Sequence, residues 1–205
     1  MGLYQDQVLP RCIDWVLRRK PYMELRRDVT PGLSGRVLEI GFGSGLNLPF
    51  YPKEVERVVA LDPAELGRRL AEGRIRAFHA PVEFRELNCE RYPLETASVD
   101  SVLSTWTLCS IPAVGEALAE LRRVLRPGGR FQFLEHGVAP EPGVARWQRR
   151  LNTVHGLFTG GCRLDVDVPR LLSDAGFEIE SIDTFYGTGP RFLAYMYRGV
   201  AVNPH

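Results

Sequence analysis

The sequence predicts an α/β fold built on a mostly parallel sheet with helices on both faces. First, an apolar run at residues 37–40 leads straight into glycines at every second position, which is typical of a buried strand that ends in a ligand-binding loop. Second, strand patterns alternate with helical patterns along the chain. Third, two strand patterns near the carboxyl terminus are joined by a short turn, so at least one strand runs antiparallel.

Apolar runs and alternating patterns predict the strands, and amphipathic stretches predict the helices. The predicted strands cover residues 37–40, 58–61, 82–87, 98–104, 130–134, 177–185 and 192–197. The predicted helices cover residues 64–72, 113–125, 144–158 and 168–175. Proline and glycine at 126–129 end one helix before the fifth strand, and residues 186–190 connect the last two strands as a hairpin.

The first thirty residues form a helical segment in front of the main domain, which we place at residues 31–205. A helical stripe begins near residue 5, Pro21 is expected to stop it, and a further turn is expected over residues 22–27. Two interpretations are open: a helix packed on the edge of the sheet, or a lid over the ligand site. The chain of 205 residues is still expected to be one domain overall.

The composition of the chain limits the classes of protein to which it can belong. With 44% hydrophobic and 25% charged residues, the chain is typical of soluble globular proteins. A net charge of +1 provides no general attraction to nucleic acid or a membrane surface. No apolar run reaches the length of about 18 residues needed to span a bilayer, and residues 1–10 lack a signal-peptide core. A cytoplasmic location is therefore expected, and the oligomeric state is not predicted.

The four cysteines, Cys12, Cys89, Cys109 and Cys162, are scattered without a C-x-x-C pair. This spacing favours reduced thiols over a disulfide framework or a zinc site. No metal site is therefore predicted from the sequence.

The spacing of the glycines also indicates which kind of nucleotide the loop binds. Gly41, Gly43 and Gly45 are followed by Leu46, where a dinucleotide fingerprint needs glycine, and the chain contains no P-loop. Glu39 would repel a pyrophosphate and attract an ammonium group. S-adenosylmethionine (SAM) carries an ammonium and a sulfonium but no phosphate, so this pattern favours SAM. An NAD oxidoreductase is the outside alternative.

Asp62 ends the second strand, 21 residues after Gly41. An acidic residue at about this offset in a strand–helix–strand unit binds ribose hydroxyls. The alternative is a helix cap, because Pro63 follows at a position that suits a first helical turn. The glycines upstream favour the ribose role.

Two later strand ends supply further cofactor candidates. Asn88 and Cys89 follow the third strand, where an amide oxygen and a backbone N–H suit adenine. Thr105 follows the fourth strand, and Trp106 either stacks on the cofactor or packs in the core. The Asn/Asp-Pro-Pro-aromatic motif of enzymes that methylate DNA bases is missing at this point. Nucleic acid is therefore not expected as a partner.

These residues carry a family resemblance. LEIGFGSGLN, ALDP, SVDSVLSTWTLCSI, ELRRVLRPGGRFQFLEHG, RWQ and GGC occur in this order and resemble the methyltransferase type 11 group of class I SAM-dependent methyltransferases. Within that group they look most like the thiol S-methyltransferase branch and its bacterial relatives. The resemblance covers about residues 35–198, and TLCS, EHG and GGC are its narrower motifs.

The resemblance implies a Rossmann-like fold with a seven-stranded sheet, an antiparallel last strand, and SAM as methyl donor. Its motifs assign the glycines to the methionine moiety, Glu39 to the ammonium, directly or through water, and Asp62 to the ribose. They assign Asn88 and Cys89 to adenine. The animal members begin with a hydrophobic membrane segment, which this chain lacks.

The implied reaction is methyl transfer to a small acceptor, here a thiol. A thiol reacts as its thiolate, with a free pKa near 8.5, so a histidine could take the proton. His136 is the first candidate because it follows a strand at the ligand edge, and His155 is the second. Cys109 and Cys162 either line the acceptor pocket or serve as small buried side chains.

Two other functions stay open. One is methylation of carbon, oxygen or nitrogen on a quinone-like or other small metabolite. The other is a catalytically silent SAM-binding module.

Overall fold

The computed structural model describes residues 4–85 and 92–204. Seven strands form its sheet: β1 Gly35–Ile40, β2 Val55–Leu61, β3 Val82–Arg85, β4 Val99–Thr105, β5 Leu125–His136, β6 Glu178–Tyr186 and β7 Tyr195–Val202. Its α-helices are α1 Leu9–Leu17, α2 Lys20–Val29, α3 Glu65–Ala77, α4 Val114–Val124, α5 Pro142–Phe158, α6 Val168–Asp174 and α7 Arg191–Ala194. A π-helical turn, Tyr4–Val8, precedes α1, and single 3-10 turns lie at Leu48–Phe50 and Leu108–Ser110.

The strand order is β3-β2-β1-β4-β5-β7-β6. Neighbouring strands are parallel from β3 to β5, and β7 runs antiparallel to both β5 and β6. The mostly parallel sheet with an antiparallel last strand is therefore confirmed. The chain reverses its direction of strand addition between β1 and β4, and this switch point is where open α/β sheets bind ligands.

The core lies on both faces of the sheet because side chains alternate along each strand. On one face, Leu38 and Ile40 pack with Phe131 and Phe133 in a buried cluster. On the other face, Val37 packs in a second cluster with Leu103. Helices cover both clusters, so the two-faced arrangement predicted from the sequence is confirmed.

Several element boundaries differ from the prediction: β2 begins at Val55 rather than at residue 58, and α3 continues to Ala77 rather than ending at residue 72. The clearest differences are at β5 and before β7. Strand β5 starts at Leu125 rather than at residue 130, because Leu125 pairs with Val99 of β4. The stretch after Pro127 is also bonded to the residue that follows β7, since Gly128 N donates to Asn203 O and Asn203 N donates to Gly129 O. The predicted strand at 192–197 begins instead with the short helix α7, and β7 follows it.

The amino-terminal segment also differs from the prediction. Pro21 lies in the first turn of α2 rather than acting only as a stop, because a proline there loses no intrahelical hydrogen bond. The expected single turn over residues 22–27 is therefore a helix of 10 residues. Helix α1 ends before it, at Leu17.

We predict that Phe131→Ala lowers the free energy of unfolding by about 3–5 kcal/mol, because Phe131 is fully buried and the change leaves a cavity. The matched control is Phe158→Ala, whose side chain is 63% exposed and should change stability by no more than about 0.5 kcal/mol. Chemical denaturation of both variants provides the measurement. Equal losses in the two variants would contradict this account of the core.

Candidate active site

A cavity of about 480 Å³ opens at the carboxyl ends of β1, β2 and β4. Its floor includes the glycine loop at residues 41–44, Asp62 and the segment at residues 105–107. Helix α1 covers it with Leu9, Ile13 and Leu17, and the turn after α5 adds Thr159 and Gly160. The cavity therefore lies where the strand order predicts a ligand site, with helix α1 forming part of its wall.

Glycine is required both in the loop and on the helix that packs against it, for different steric reasons. Gly41 has φ +65°, and a methyl group on its Cα would lie 2.0 Å from Oγ1 of Thr107. Gly67 on α3 approaches the loop so closely that a methyl group there would lie 2.8 Å from the carbonyl oxygen of Gly43. At Gly43 itself, with φ +54°, a methyl group would make only an ordinary contact of 3.9 Å with the carbonyl oxygen of Gly41. The loop therefore exposes bare backbone to the cavity.

Asp62 holds this loop in place. Its Oδ2 accepts a hydrogen bond from Gly43 N at 2.7 Å, and its Oδ1 accepts one from Ala64 N at 2.7 Å. Burial raises the pKa of the carboxyl, and the two backbone donors oppose that rise. Helix α3 begins at Glu65 with Ala64 as its N-cap, so Asp62 is not the cap of this helix.

Glu39 lies one layer behind the cavity. Its buried carboxylate accepts hydrogen bonds from Asn47 Nδ2 at 2.7 Å and from the Tyr51 hydroxyl. Burial raises its pKa to about 7, while these donors and the charge of Arg26 oppose the rise. Glu39 is absent from the described residues that line the cavity.

Arg26 of α2 is a buried cation in the cavity wall. Its Nη1 donates to Asn47 Oδ1 at 2.7 Å and to Thr105 Oγ1 at 2.9 Å. Its guanidinium carbon lies 4.7 Å from the centroid of the Trp106 ring. Burial lowers the pKa of Arg26 to about 10, and Glu39 opposes that effect. Arg26 is not among the site residues predicted from the sequence, because an arginine in a helical pattern usually faces solvent.

Thr105 and Trp106 both line the cavity. Thr105 Oγ1 also accepts a hydrogen bond from Asn47 Nδ2 at 3.0 Å, which links this cofactor candidate to the Arg26–Glu39 network. Trp106 has φ +52°, an uncommon conformation for a bulky residue, so its backbone is strained where it meets the cavity. Asn88 and Cys89 lie outside the described residues.

Helix α1 is tied to the glycine loop through Asp14, which lines the cavity. Oδ1 of Asp14 accepts a hydrogen bond from Ser44 Oγ at 2.6 Å and lies 3.3 Å from Arg74 Nη1. Arg74 also donates to Ser44 O at 2.8 Å. One carboxylate thus joins the amino-terminal segment to the loop and to α3.

The predicted catalytic histidines lie beside the cavity, outside the part of its wall that the structure describes. His136 is half-buried at the end of β5, near Cys109 and Cys162. His155 is half-buried on α5, and this burial lowers its pKa. Cys109 and Cys162 are likewise absent from the described lining residues.

Glu135 organises the turn next to these cysteines. Its buried carboxylate accepts hydrogen bonds from Thr107 N at 2.9 Å, Leu108 N at 3.1 Å and the Ser104 hydroxyl. Burial raises its pKa to about 7 against the effect of these donors. The sequence analysis quoted Glu135 only within the EHG motif and assigned it no role.

The parallel sheet, the glycine loop and the acidic residue after β2 define a class I SAM-dependent methyltransferase. A family model described as a methyltransferase domain matches residues 38–133. Human thiol S-methyltransferase TMT1A is 34% identical over 182 residues, covering 85% of this chain and 70% of that protein. Human thiol S-methyltransferase TMT1B is 35% identical over 158 residues, covering 71% of this chain and 62% of that protein.

The chain therefore belongs to the SAM-dependent methyltransferases, in the methyltransferase type 11 family, and SAM is its methyl donor. A ubiquinone/menaquinone biosynthesis C-methyltransferase, UbiE of Rubrivivax gelatinosus, is 31% identical over 109 residues. That match covers 53% of this chain and 42% of that protein.

Solved structures support the fold. A SAM-dependent methyltransferase from Methanosarcina mazei matches with a TM-score of 0.65 and 21% identity, covering 82% of this chain and 92% of that one. A geranyl diphosphate methyltransferase in complex with SAM matches with a TM-score of 0.68 and 15% identity, covering 88% of this chain and 84% of that one. At these sequence identities, the two matches support the fold and not a shared function.

Within residues 4–85 and 92–204, no helix has both the length and the apolar character needed to cross a bilayer.

We predict that the free energy of unfolding falls as pH rises from about 4.5 to about 7. In this window the folded chain keeps protons on Glu39 and Glu135, whereas the unfolded chain releases them. Glu39→Gln removes one of these two ionisable groups. It should reduce the loss of unfolding free energy across this pH range by on the order of 3 kcal/mol. Denaturant titrations across this range provide the measurement.

The exposed Glu72→Gln controls for the loss of one negative charge. A wild-type stability that rises through this window, or a slope that Glu39→Gln leaves unchanged, would contradict the burial of Glu39 as a carboxylic acid.

Proposed function

We propose that this methyltransferase transfers its methyl group to the sulfur of a small, largely apolar thiol. The observation that carries the proposal is the similarity to human thiol S-methyltransferase TMT1A over 85% of this chain. The cavity supports an apolar acceptor, because α1 contributes Leu9, Ile13 and Leu17 and the opposite wall contributes Ile111 and Pro112. A small molecule with an apolar body fits such walls.

The cavity fits SAM in size and in its polar groups. Its volume lies within the range of about 300–1000 Å³ typical of small-molecule sites. We assign the ribose hydroxyls to Asp62, whose two oxygens keep lone pairs beyond those used by Gly43 and Ala64. We assign the methionine carboxylate to Arg26, a buried guanidinium in the wall whose Nε has no hydrogen-bond partner among the described residues.

Of the two arrangements predicted for Glu39, direct contact with the ammonium or an indirect one, this proposal uses an indirect one. Glu39 holds Asn47, and Asn47 holds Arg26 and Thr105 at the wall. The backbone of Gly43 provides the close approach that the methionine moiety needs, and Thr105 stays a proposed cofactor contact. Asn88 and Cys89 stay predictions for adenine.

Bound SAM supplies an activated methyl group on a sulfonium. The chain then has to align the acceptor and exclude water. We propose that α1 acts as a lid for this purpose, held down by the contact of Asp14 with Ser44 and Arg74. The catalytic roles of His136 and His155 stay predictions, because both histidines lie outside the described cavity wall.

A quinone-like acceptor is the second candidate. It is favoured by the similarity to the C-methyltransferase UbiE, which covers 53% of this chain. That match is shorter than the one to TMT1A, so we rank it second.

Assays with methyl-labelled SAM test the acceptor. We predict label transfer to apolar thiols and at least tenfold less transfer to the alcohols of the same shape, because oxygen is the poorer nucleophile at neutral pH. Each thiol and its alcohol form a matched pair, and a demethylated quinol serves as the competing acceptor. Transfer to the quinol but to none of the thiols would reject the proposal, and binding of SAM without any product would indicate a silent module.

Two variants test the cofactor assignments by calorimetry. Asp62→Asn should weaken S-adenosylhomocysteine and methylthioadenosine alike, roughly ten- to hundredfold, because both ligands carry the ribose. Arg26→Gln should weaken S-adenosylhomocysteine by a similar factor and leave methylthioadenosine unchanged, because that ligand lacks the carboxylate.

Asp100→Asn is the control for these two variants. Asp100 also accepts a backbone hydrogen bond, from Arg36 N at 2.7 Å, but it lies at the opposite end of the sheet. If Arg26→Gln lost equal affinity for S-adenosylhomocysteine and methylthioadenosine, Arg26 would have a structural role only.

A further inference from the structure

Three side chains that can bind a metal ion lie close together. Sγ of Cys109, Sγ of Cys162 and a ring nitrogen of His136 all lie within 4.8 Å of one another. These residues come from the TLCS, GGC and EHG segments, the narrower motifs of the sequence. Cys109 belongs to the turn after β4, His136 ends β5, and Cys162 follows α5. The fold thus brings together groups that are 27 and 26 residues apart along the chain.

The cluster has the chemistry of a metal site. Both thiols are buried, His136 is half-buried, and Nδ1 of His136 is buried without a hydrogen-bond partner in the part of the chain that the structure describes. Two thiolates with one imidazole are a common donor set for zinc, and three protein donors leave one coordination position for an outside ligand. We propose that Cys109, His136 and Cys162 bind one thiophilic divalent cation of the zinc type.

A disulfide between Cys109 and Cys162 is the alternative to cation binding. Their sulfur atoms are 3.1 Å apart. A disulfide needs them to close to about 2.05 Å. A tetrahedral zinc ion, at about 2.3 Å from each sulfur, needs them to open to about 3.8 Å. Both movements are small, and the two outcomes differ at His136: a cation can bind one of its ring nitrogens, whereas a disulfide forms no bond with it.

Cation binding would affect the cavity through its wall. Cys109 precedes Ser110, a lining residue whose Oγ lies 3.7 Å from the Cys109 sulfur. Cys162 follows the lining Gly160 by two residues, and Arg163 N donates to Cys109 O at 2.8 Å. A cation bound to both cysteines would therefore fix two wall segments against the end of β5. Binding of the cation does not depend on which acceptor the enzyme methylates.

This proposal departs from the absence of a metal site that the cysteine spacing predicted. That expectation rested on short-range motifs, whereas these three ligands are brought together only by the sheet and the turn after α5.

Titration with Co²⁺ tests the site in the reduced, metal-free full-length chain, with a phosphine reductant present to prevent disulfide formation. We expect one equivalent of Co²⁺ to saturate a sulfur-to-cobalt charge-transfer band, and Zn²⁺ to displace it. Cys109→Ser and Cys162→Ser should each remove most of the band. His136→Gln should weaken binding at least tenfold, because even the loss of an outer-shell partner costs about that much.

The control is Cys12→Ser, which removes an exposed thiol and should leave the titration unchanged. A wild-type chain without a saturable band, or a band that survives both cysteine variants, would overturn the proposal. The wild-type titration stands even where a variant fails to fold. Binding of S-adenosylhomocysteine is measured on the same samples, so failure of the metal site is distinguished from failure of the methyltransferase assignment.

Discussion

The site depends on the carboxylate of Asp62, which joins two strand ends. One oxygen accepts from Gly43 N in the loop after β1, and the other accepts from Ala64 N just before α3. Helix α3 can then lie against the loop because Gly67 leaves room for the Gly43 carbonyl. This arrangement keeps the backbone of the loop bare and turned toward the cavity. A side chain at Gly41 would collide with Thr107 and break it.

Two buried ionisable side chains support the site. Arg26 and Glu39 are linked through Asn47 rather than by a direct hydrogen bond. Burying such groups is costly and contributes little to net stability, because desolvation offsets their attraction. In the proposed function, this network presents a guanidinium and the Thr105 hydroxyl at the cavity wall. Glu135 organises the turn that follows Thr105 by accepting hydrogen bonds from the backbone of Thr107 and Leu108.

Local sequence patterns were sufficient for the parts of the molecule that depend on local structure. The strand at Val37–Ile40, the glycine loop and the position of Asp62 follow from apolar runs and spacing. The start of β5 could not be predicted, because it depends on pairing of Leu125 with Val99 in another strand. The same holds for Arg26 and for the Cys109–His136–Cys162 cluster, whose partners come from distant segments.

The central claim is that the cavity over the glycine loop binds an adenosine compound without a phosphate. Isothermal calorimetry of the wild-type chain with S-adenosylhomocysteine and, separately, with NADH tests it most directly. The account predicts saturable one-to-one binding of S-adenosylhomocysteine and no heat from NADH. Binding of NADH without binding of S-adenosylhomocysteine would contradict the account.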